Sequence, residues 1–169
     1  LKILNAAKTL AEKKPELTPQ LTPQITAYED VLNSGWGTSY FRDFNGREIT
    51  LSASECLLML AMGKKVHITC VSGKDRTQLV AMMILAMRIY EHTYGIEPLY
   101  SDTEEKRAVF VNIFRDIYCS RHGQTFAGVY VLNSCTELKG PDNYLPSDIV
   151  SAIKEVLGEN CMLIADLIA

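Results

Sequence analysis

The sequence predicts an α/β domain in which helices surround a small central sheet. The run VHITC (residues 66–70) is short, apolar and β-branched, as is typical of a buried strand. A tight polar loop follows it, and a strongly apolar helix is predicted from Thr77 to about His92. The 169 residues, 47% of them hydrophobic and 22% charged, suit one ordinary globular domain with its own core. We therefore expect a single domain over residues 1–169; because the chain begins with Leu1, we expect it to be the core or a fragment of a longer protein.

The first third of the chain is predicted to contain two helices. Residues 2–14 have a helical pattern that ends before Pro15. Residues 15–24 contain two LTPQ copies and are predicted to be an extended connector, because each proline disfavours helix at the residue before it. Residues 25–33 are predicted to form a short helix.

A hairpin is predicted at residues 40–51. The segments YFRDF and REITL flank Asn45-Gly46, and an Asn-Gly pair between such segments favours a hairpin. Ser52 and Glu55 have the spacing of a capping box, which predicts a helix from there to about Met62.

The second half of the chain is predicted to be mainly helical. Ser101 and Glu104 form another capping-box pattern, for a helix that ends near Ser120. Residues 126–132 are predicted to form a strand. A helix opened by Ser147 or Asp148 is expected to end at Leu157, and the last ten residues are also expected to be helical.

Composition excludes several classes of protein. The net charge of −3 argues against a nucleic-acid-binding surface over the whole chain, so nucleic acid is not an expected partner. The five cysteines form no CxxC pair and the histidines have no zinc-ligand spacing, so we expect no metal, no cofactor and reduced thiols in a cytoplasmic environment. The longest apolar run, residues 79–87, is too short to cross a membrane as a helix.

The loop after the predicted central strand has the features of an anion site. It reads Cys70-Val71-Ser72-Gly73-Lys74-Asp75-Arg76-Thr77. Backbone N–H groups of a strand-to-helix loop converge on its centre, and the helix N-terminus adds positive potential. A cysteine beside such a site and an arginine is favoured as the thiolate, which is a strong nucleophile.

Each residue type in this loop suits the hydrolysis of a phosphate ester. The guanidinium of Arg76 can hold two phosphate oxygens, and Gly73 permits the turn. The Thr77 hydroxyl can donate a hydrogen bond to the sulfur of Cys70. Asp75 can protonate a departing alkoxide and then activate water.

The segment CVSGKDRT resembles the signature of the cysteine-dependent phosphatases, which is Cys, five residues, Arg, then Ser or Thr. It is most similar to the inositol-lipid branch, which includes bacterial secreted effector phosphoinositide phosphatases and inositol polyphosphate 4-phosphatases. The resemblance covers about a dozen residues, 68–80. It implies that Cys70 is the nucleophile, Arg76 the phosphate clamp and Asp75 the acid and base, with Lys74 on a further ring phosphate. A phosphoinositide or inositol phosphate substrate, and secretion into a host cell, are implied by the same resemblance.

Departures from these patterns bear on the substrate. Val71 stands where the effector family often has Lys, and Gln78 where Gly is usual. Thr69 stands where protein tyrosine phosphatases usually have His, and no WPD tripeptide precedes Cys70. These last two features argue against a protein tyrosine phosphatase.

Three alternatives remain open at the level of sequence. The same loop would serve a protein tyrosine or dual-specificity phosphatase, a phosphoinositide-binding module with little turnover, or a thiol-redox protein with a resolving cysteine. A peripheral location on an anionic membrane is a further possibility for the chain. Lys64-Lys65 would suit such a surface, although a two-lysine run is more typical of a solvated turn.

Overall fold

A computed structural model of the protein describes residues 2–33, 44–69, 75–95, 103–120 and 144–158. These residues form six α-helices and one short 3-10 helix, Pro15–Leu17, that follows the first of them. The α-helices are α1 (Lys2–Lys13), α2 (Thr18–Asn33), α3 (Phe44–Ala61), α4 (Asp75–Tyr94), α5 (Glu104–Cys119) and α6 (Ser147–Leu157). Each α-helix packs against the next one along the chain, and α1 also contacts α3.

The predicted α/β fold with a central sheet is wrong for the part of the chain that the structure describes, because no strand occurs there. Residues 64–69, which include most of the predicted central strand, have no regular secondary structure. Their burial still alternates, with Val66 and Ile68 half-buried and His67 and Thr69 exposed. The alternation therefore gives this segment one inner face, and no strand pairs with it among the described residues. The predicted strand 126–132 and the helical last ten residues lie outside the described residues.

The predicted extended connector over residues 15–24 is also wrong. Pro15–Leu17 is a 3-10 helix, and α2 begins at Thr18 and continues through Pro23. The residues before Pro19 and Pro23 are helical against their local preference. Burial explains this outcome, since helical spacing places one set of residues in the interior: Leu21, Gln24, Ile25, Tyr28 and Val31.

The predicted hairpin at residues 40–51 is wrong where the structure describes it, because α3 begins at Phe44. Ser52 lies eight residues inside this helix, so it does not open one. The helical period buries Ile49, Ala53 and Leu57 along one stripe. The gain from burying that stripe exceeds the local hairpin preference of a single Asn-Gly pair.

The other predicted helices that fall within the described residues are confirmed, with different caps at two of them. The N-cap of α5 is Thr103, whose hydroxyl oxygen accepts a hydrogen bond from the backbone N–H of Lys106 at 3.2 Å. Pro146 precedes α6 and provides no side-chain cap, and Ser147 is the first helical residue. Gly63 and Gly95 follow α3 and α4 with φ of 73° and 85°, so both turns use the left-handed conformation that glycine tolerates.

Among the described residues, two hydrophobic clusters make up the core. The smaller cluster joins α1 and α2 to Leu58 of α3. The larger cluster contains the inner faces of α3, α4, α5 and α6, among them Leu57, Leu79 and Phe114. None of the described helices is long and apolar enough to cross a membrane.

Candidate functional site

The first turn of α4 carries three of the residues that the sequence singles out. Asp75 is the first residue of the helix, Arg76 the second and Thr77 the third. Arg76 is exposed and Thr77 is half-buried. The other five, Cys70 to Lys74, lie outside the described residues and directly precede this turn in the sequence.

The length of α4 matters for electrostatics at this turn. The helix has 20 residues, and its aligned peptide dipoles place about half a positive charge at the N-terminus. The first N–H groups of a helix have no acceptor within the helix and point out of its end. An anion next to residues 75–77 would accept hydrogen bonds from these N–H groups. The exposed guanidinium of Arg76 adds a full positive charge at the same place.

The segments before and after the loop pack against the same hydrophobic cluster. Ile68, two residues before Cys70, packs against the larger cluster. Leu79 and Val80, in the second turn of α4, belong to that cluster and are 0% and 6% exposed. In the sequence, the apolar residues of segment 66–80 indicate that the flanks of the loop are buried. Only the folded structure shows that these residues pack in one cluster.

Neighbouring helices share the hydrophobic cluster to which α4 contributes. Ala53 and Leu57 of α3 and Phe110 and Phe114 of α5 are buried in the cluster that takes up Leu79. Helix α4 is therefore packed between α3 and α5. No group of three or more His, Cys, Asp or Glu side chains that would hold a metal ion occurs within the described residues.

Cys56, which belongs to no motif, has a different environment from a cysteine at a helix N-terminus. It lies in the middle of α3 and is half-buried. Burial raises the pKa of its thiol, and the charge of the adjacent Glu55 raises it further. Cys56 is therefore held as the thiol at neutral pH and is a poor nucleophile.

Comparison with solved structures identifies a relative. The chain superposes with a TM-score of 0.82 on the crystal structure of a Legionella phosphoinositide phosphatase, a protein described in the context of lipid metabolism in pathogen–host interaction. The two are 35% identical, and the match covers 95% of this chain. It covers 20% of the other protein, so this chain spans about one fifth of the length of that relative. No described protein family and no curated protein matches the sequence.

The identity and the superposition together show that the chain is related to a bacterial phosphoinositide phosphatase. The match covers 95% of the chain, which is far more than the dozen residues of the sequence resemblance.

Proposed function

We propose that this chain is the catalytic portion of a phosphoinositide phosphatase that works through a phosphocysteine intermediate. The observation that carries the proposal is the position of the Asp-Arg-Thr sequence. It forms the first turn of a 20-residue helix that begins five residues after Cys70, in a chain that is 35% identical to a phosphoinositide phosphatase.

The first step of the proposed reaction transfers the phosphoryl group to sulfur. The thiolate of Cys70 attacks phosphorus and forms an S–P bond, while the bond from phosphorus to the inositol oxygen breaks. The carboxylic acid of Asp75 gives its proton to that oxygen, so the leaving group departs as an alcohol. The Arg76 guanidinium and the N–H groups of the first turn of α4 stabilise the charge on the phosphoryl oxygens.

The second step regenerates the enzyme. Asp75, now a carboxylate, takes a proton from a water molecule, and the resulting hydroxide forms a new P–O bond as the S–P bond breaks. Phosphate leaves, and Cys70 returns to the thiolate. A hydrogen bond from the Thr77 hydroxyl to the sulfur favours its departure as an anion.

Lys74 would bind a second phosphate on the inositol ring. An ammonium group four residues after the nucleophile suits a substrate that carries more than one phosphate. The relative's connection with lipid metabolism in pathogen–host interaction supports a lipid substrate in a host cell. We infer that the protein acts there on a membrane lipid.

The test is the release of inorganic phosphate from a panel of phosphoinositides, soluble inositol phosphates and phosphopeptides, with a reducing agent and EDTA present. Cys70→Ser should abolish release, and Arg76→Ala should lower kcat about 10²- to 10³-fold. Arg88→Ala is the matched control, because Arg88 is an exposed arginine on the same helix with an ion pair to Glu91. It should retain nearly full activity.

The outcomes separate the candidate functions. Release from phosphopeptides alone would favour a protein phosphatase, and tight lipid binding without release would favour a binding module. A disulfide to Cys70 that forms under peroxide, with no phosphatase activity, would favour a thiol-redox role. Full activity of Cys70→Ser would contradict the phosphocysteine mechanism.

A further inference from the structure

Two lysine pairs that are fifty residues apart in the sequence lie at the same end of the helical unit. Lys13-Lys14 stands where α1 ends, and Lys64-Lys65 stands just beyond the end of α3. The side-chain amide of Gln20, near the start of α2, donates a hydrogen bond to the carbonyl oxygen of Ala61 at 3.2 Å. This bond ties the segment after the first pair to the last turn before the second.

Apolar contacts beneath the surface hold the two segments together. Leu10 of α1 and Leu17 of the 3-10 helix pack against the smaller hydrophobic cluster, and so do Ala61 and Met62. In addition, the Thr18 hydroxyl donates a hydrogen bond to the carbonyl oxygen of Ala11 at 3.0 Å. The segments that contain the two lysine pairs are therefore packed against the same hydrophobic cluster, which forms their base. We call the surface formed by Lys13, Lys14, Lys64 and Lys65 the lysine end.

The charges of the lysine end face solvent. All four lysines are exposed, and none of them forms an ion pair with another residue that the structure describes. The carboxylates of Glu12 and Glu16 flank the first pair, which leaves a local charge of two positive units from four lysines and two glutamates. The whole chain carries −3, so this end opposes the overall charge.

In the sequence, the lysine end is joined to the proposed phosphate-binding loop by a short segment, residues 66–69, without regular secondary structure. Five residue steps separate Lys65 from Cys70, a span of at most about 17 Å. Ile68 fixes this segment to the larger hydrophobic cluster, while His67 faces solvent between the lysines and the loop.

We infer that the lysine end is a docking surface for an anionic lipid membrane and that it holds the chain at the membrane that contains its proposed lipid substrate. The inference rests on the proposed function for the choice of a membrane as the partner. A lysine within a Debye length of an anionic leaflet strengthens membrane binding about fivefold. Leu60, which is 47% exposed one turn before Lys64, adds an apolar side chain that a lipid interface accommodates.

The test uses sedimentation with vesicles of phosphatidylcholine and phosphatidylserine that contain no phosphoinositide, so that binding does not depend on the catalytic loop. Lys13→Gln/Lys14→Gln and Lys64→Gln/Lys65→Gln should each lower the partition coefficient about 10- to 25-fold, and added salt should remove the difference. Lys2→Gln/Lys8→Gln is the control, because it removes the same charge from the rest of α1. It should change binding less than about threefold.

Activity measurements separate this inference from the proposed function. Both variants of the lysine end should hydrolyse a short-chain soluble phosphoinositide at the wild-type rate and the same lipid in vesicles more slowly. Cys70→Ser should bind vesicles like the wild type and release no phosphate. Unfolding midpoints of both variants of the lysine end should match that of the wild type, since all four substituted lysines are exposed.

Equal vesicle binding by the wild type, both variants of the lysine end and the control would overturn the inference, whatever the activity. Wild-type hydrolysis of the soluble lipid without any binding to anionic vesicles would overturn it as well, and would leave the proposed function standing. Vesicle binding that depends on the lysine end, with no hydrolysis of any phosphoinositide, would support the docking surface and overturn the proposed function alone.

Discussion

Asp75 and Arg76 are neighbours in the first turn of α4, yet the proposed reaction uses them in different ways. Arg76 offsets charge that builds on the phosphoryl oxygens whatever the leaving group is. Asp75 is needed only when the leaving group must receive a proton. The two roles therefore respond differently to a change of substrate, which makes them separable by kinetics.

Asp75→Asn should slow the hydrolysis of a phosphoinositide about 10²-fold or more, because an inositol alkoxide is a poor leaving group. An aryl phosphate, whose phenolate leaves without a proton, should be slowed much less in its first step. The measurement is the burst of aryl alcohol and kcat for both substrates. Arg76→Lys is the comparison and should slow both alike; equal slowing by Asp75→Asn would remove Asp75 from the role of acid.

The thiols of Cys56 and Cys70 should differ in reactivity for a physical reason. Burial and the charge of Glu55 raise the pKa of Cys56, so its thiolate fraction at neutral pH is smaller than that of an ordinary cysteine. Cys70 directly precedes the loop and the positive N-terminus of α4, which favours its thiolate.

Iodoacetamide at neutral pH should therefore alkylate Cys70 well before Cys56. Peptide mass spectrometry over a time course measures both rates. The rate at Cys56 should rise only when the pH is raised toward its elevated pKa, since the thiolate is the reacting form. Cys70→Ser should leave the rate at Cys56 unchanged, and faster modification of Cys56 than of Cys70 would contradict the proposed activation.

Among the elements, the sequence predicted the helices with strong apolar periodicity or clear ends. Helix α1 ends before Pro15 and α4 follows the polar loop, as expected. The predictions failed where a local signal competed with burial. Pro23 and Asn45-Gly46 favour non-helical structure locally, and both lie within helices whose inner faces are buried. Such burial depends on partners distant in sequence, which a local pattern does not contain.

The candidate site was predictable in part for the same reason. The residue types and spacing of Cys70 to Thr77 are local, so the sequence alone indicated an anion site and a helix after it. The support of the site is not local, because Ile68, Leu79 and Phe114 meet in one cluster only after folding. The lysine end is a further case, since its two pairs are fifty residues apart.

An ion pair joins helices α5 and α6. The guanidinium of Arg107 in α5 donates two hydrogen bonds to the carboxylate of Asp148 in α6, at 2.6 and 2.8 Å. The side chains are 17% and 29% exposed, so the pair is only partly screened by water. Arg107 also lies over the ring of Phe110, 5.8 Å from its centroid. A bidentate pair in this setting is expected to stabilise the packing of α6 on α5.

A double-mutant cycle with Arg107→Met and Asp148→Asn should give a coupling of about 1.5 kcal/mol in the free energy of unfolding. Urea unfolding followed by circular dichroism provides the four values. The control cycle is Arg115→Met with Asp116→Asn, a pair of neighbours within α5 whose aspartate is 69% exposed. It should give less than about 0.5 kcal/mol, and equal couplings for the two pairs would contradict the special role of the α5–α6 contact.

At the scale of the whole molecule, α3 belongs to both parts of the core. Leu57 is buried in the larger cluster and the next residue, Leu58, in the smaller one. Leu51 packs against both clusters. A helix that supplies adjacent residues to two clusters couples them, because it cannot leave one cluster without disturbing the other. The base of the lysine end and the cluster that packs both flanks of the proposed catalytic loop should therefore unfold together.

Leu58→Ala should destabilise the described helices as one unit. Leu58 is 0% exposed, and such a truncation costs about 3 kcal/mol in the free energy of unfolding. Hydrogen exchange should show the slowest amides of α1–α2 and of α4–α5 losing protection by the same amount, and urea unfolding should remain a single transition. Leu60→Ala, at a 47% exposed position in the same helix, is the control and should cost less than about 0.5 kcal/mol. A loss of protection confined to α1 and α2 would show instead that the two clusters unfold independently, and that the proposed docking surface and the proposed catalytic loop rest on separately stable parts.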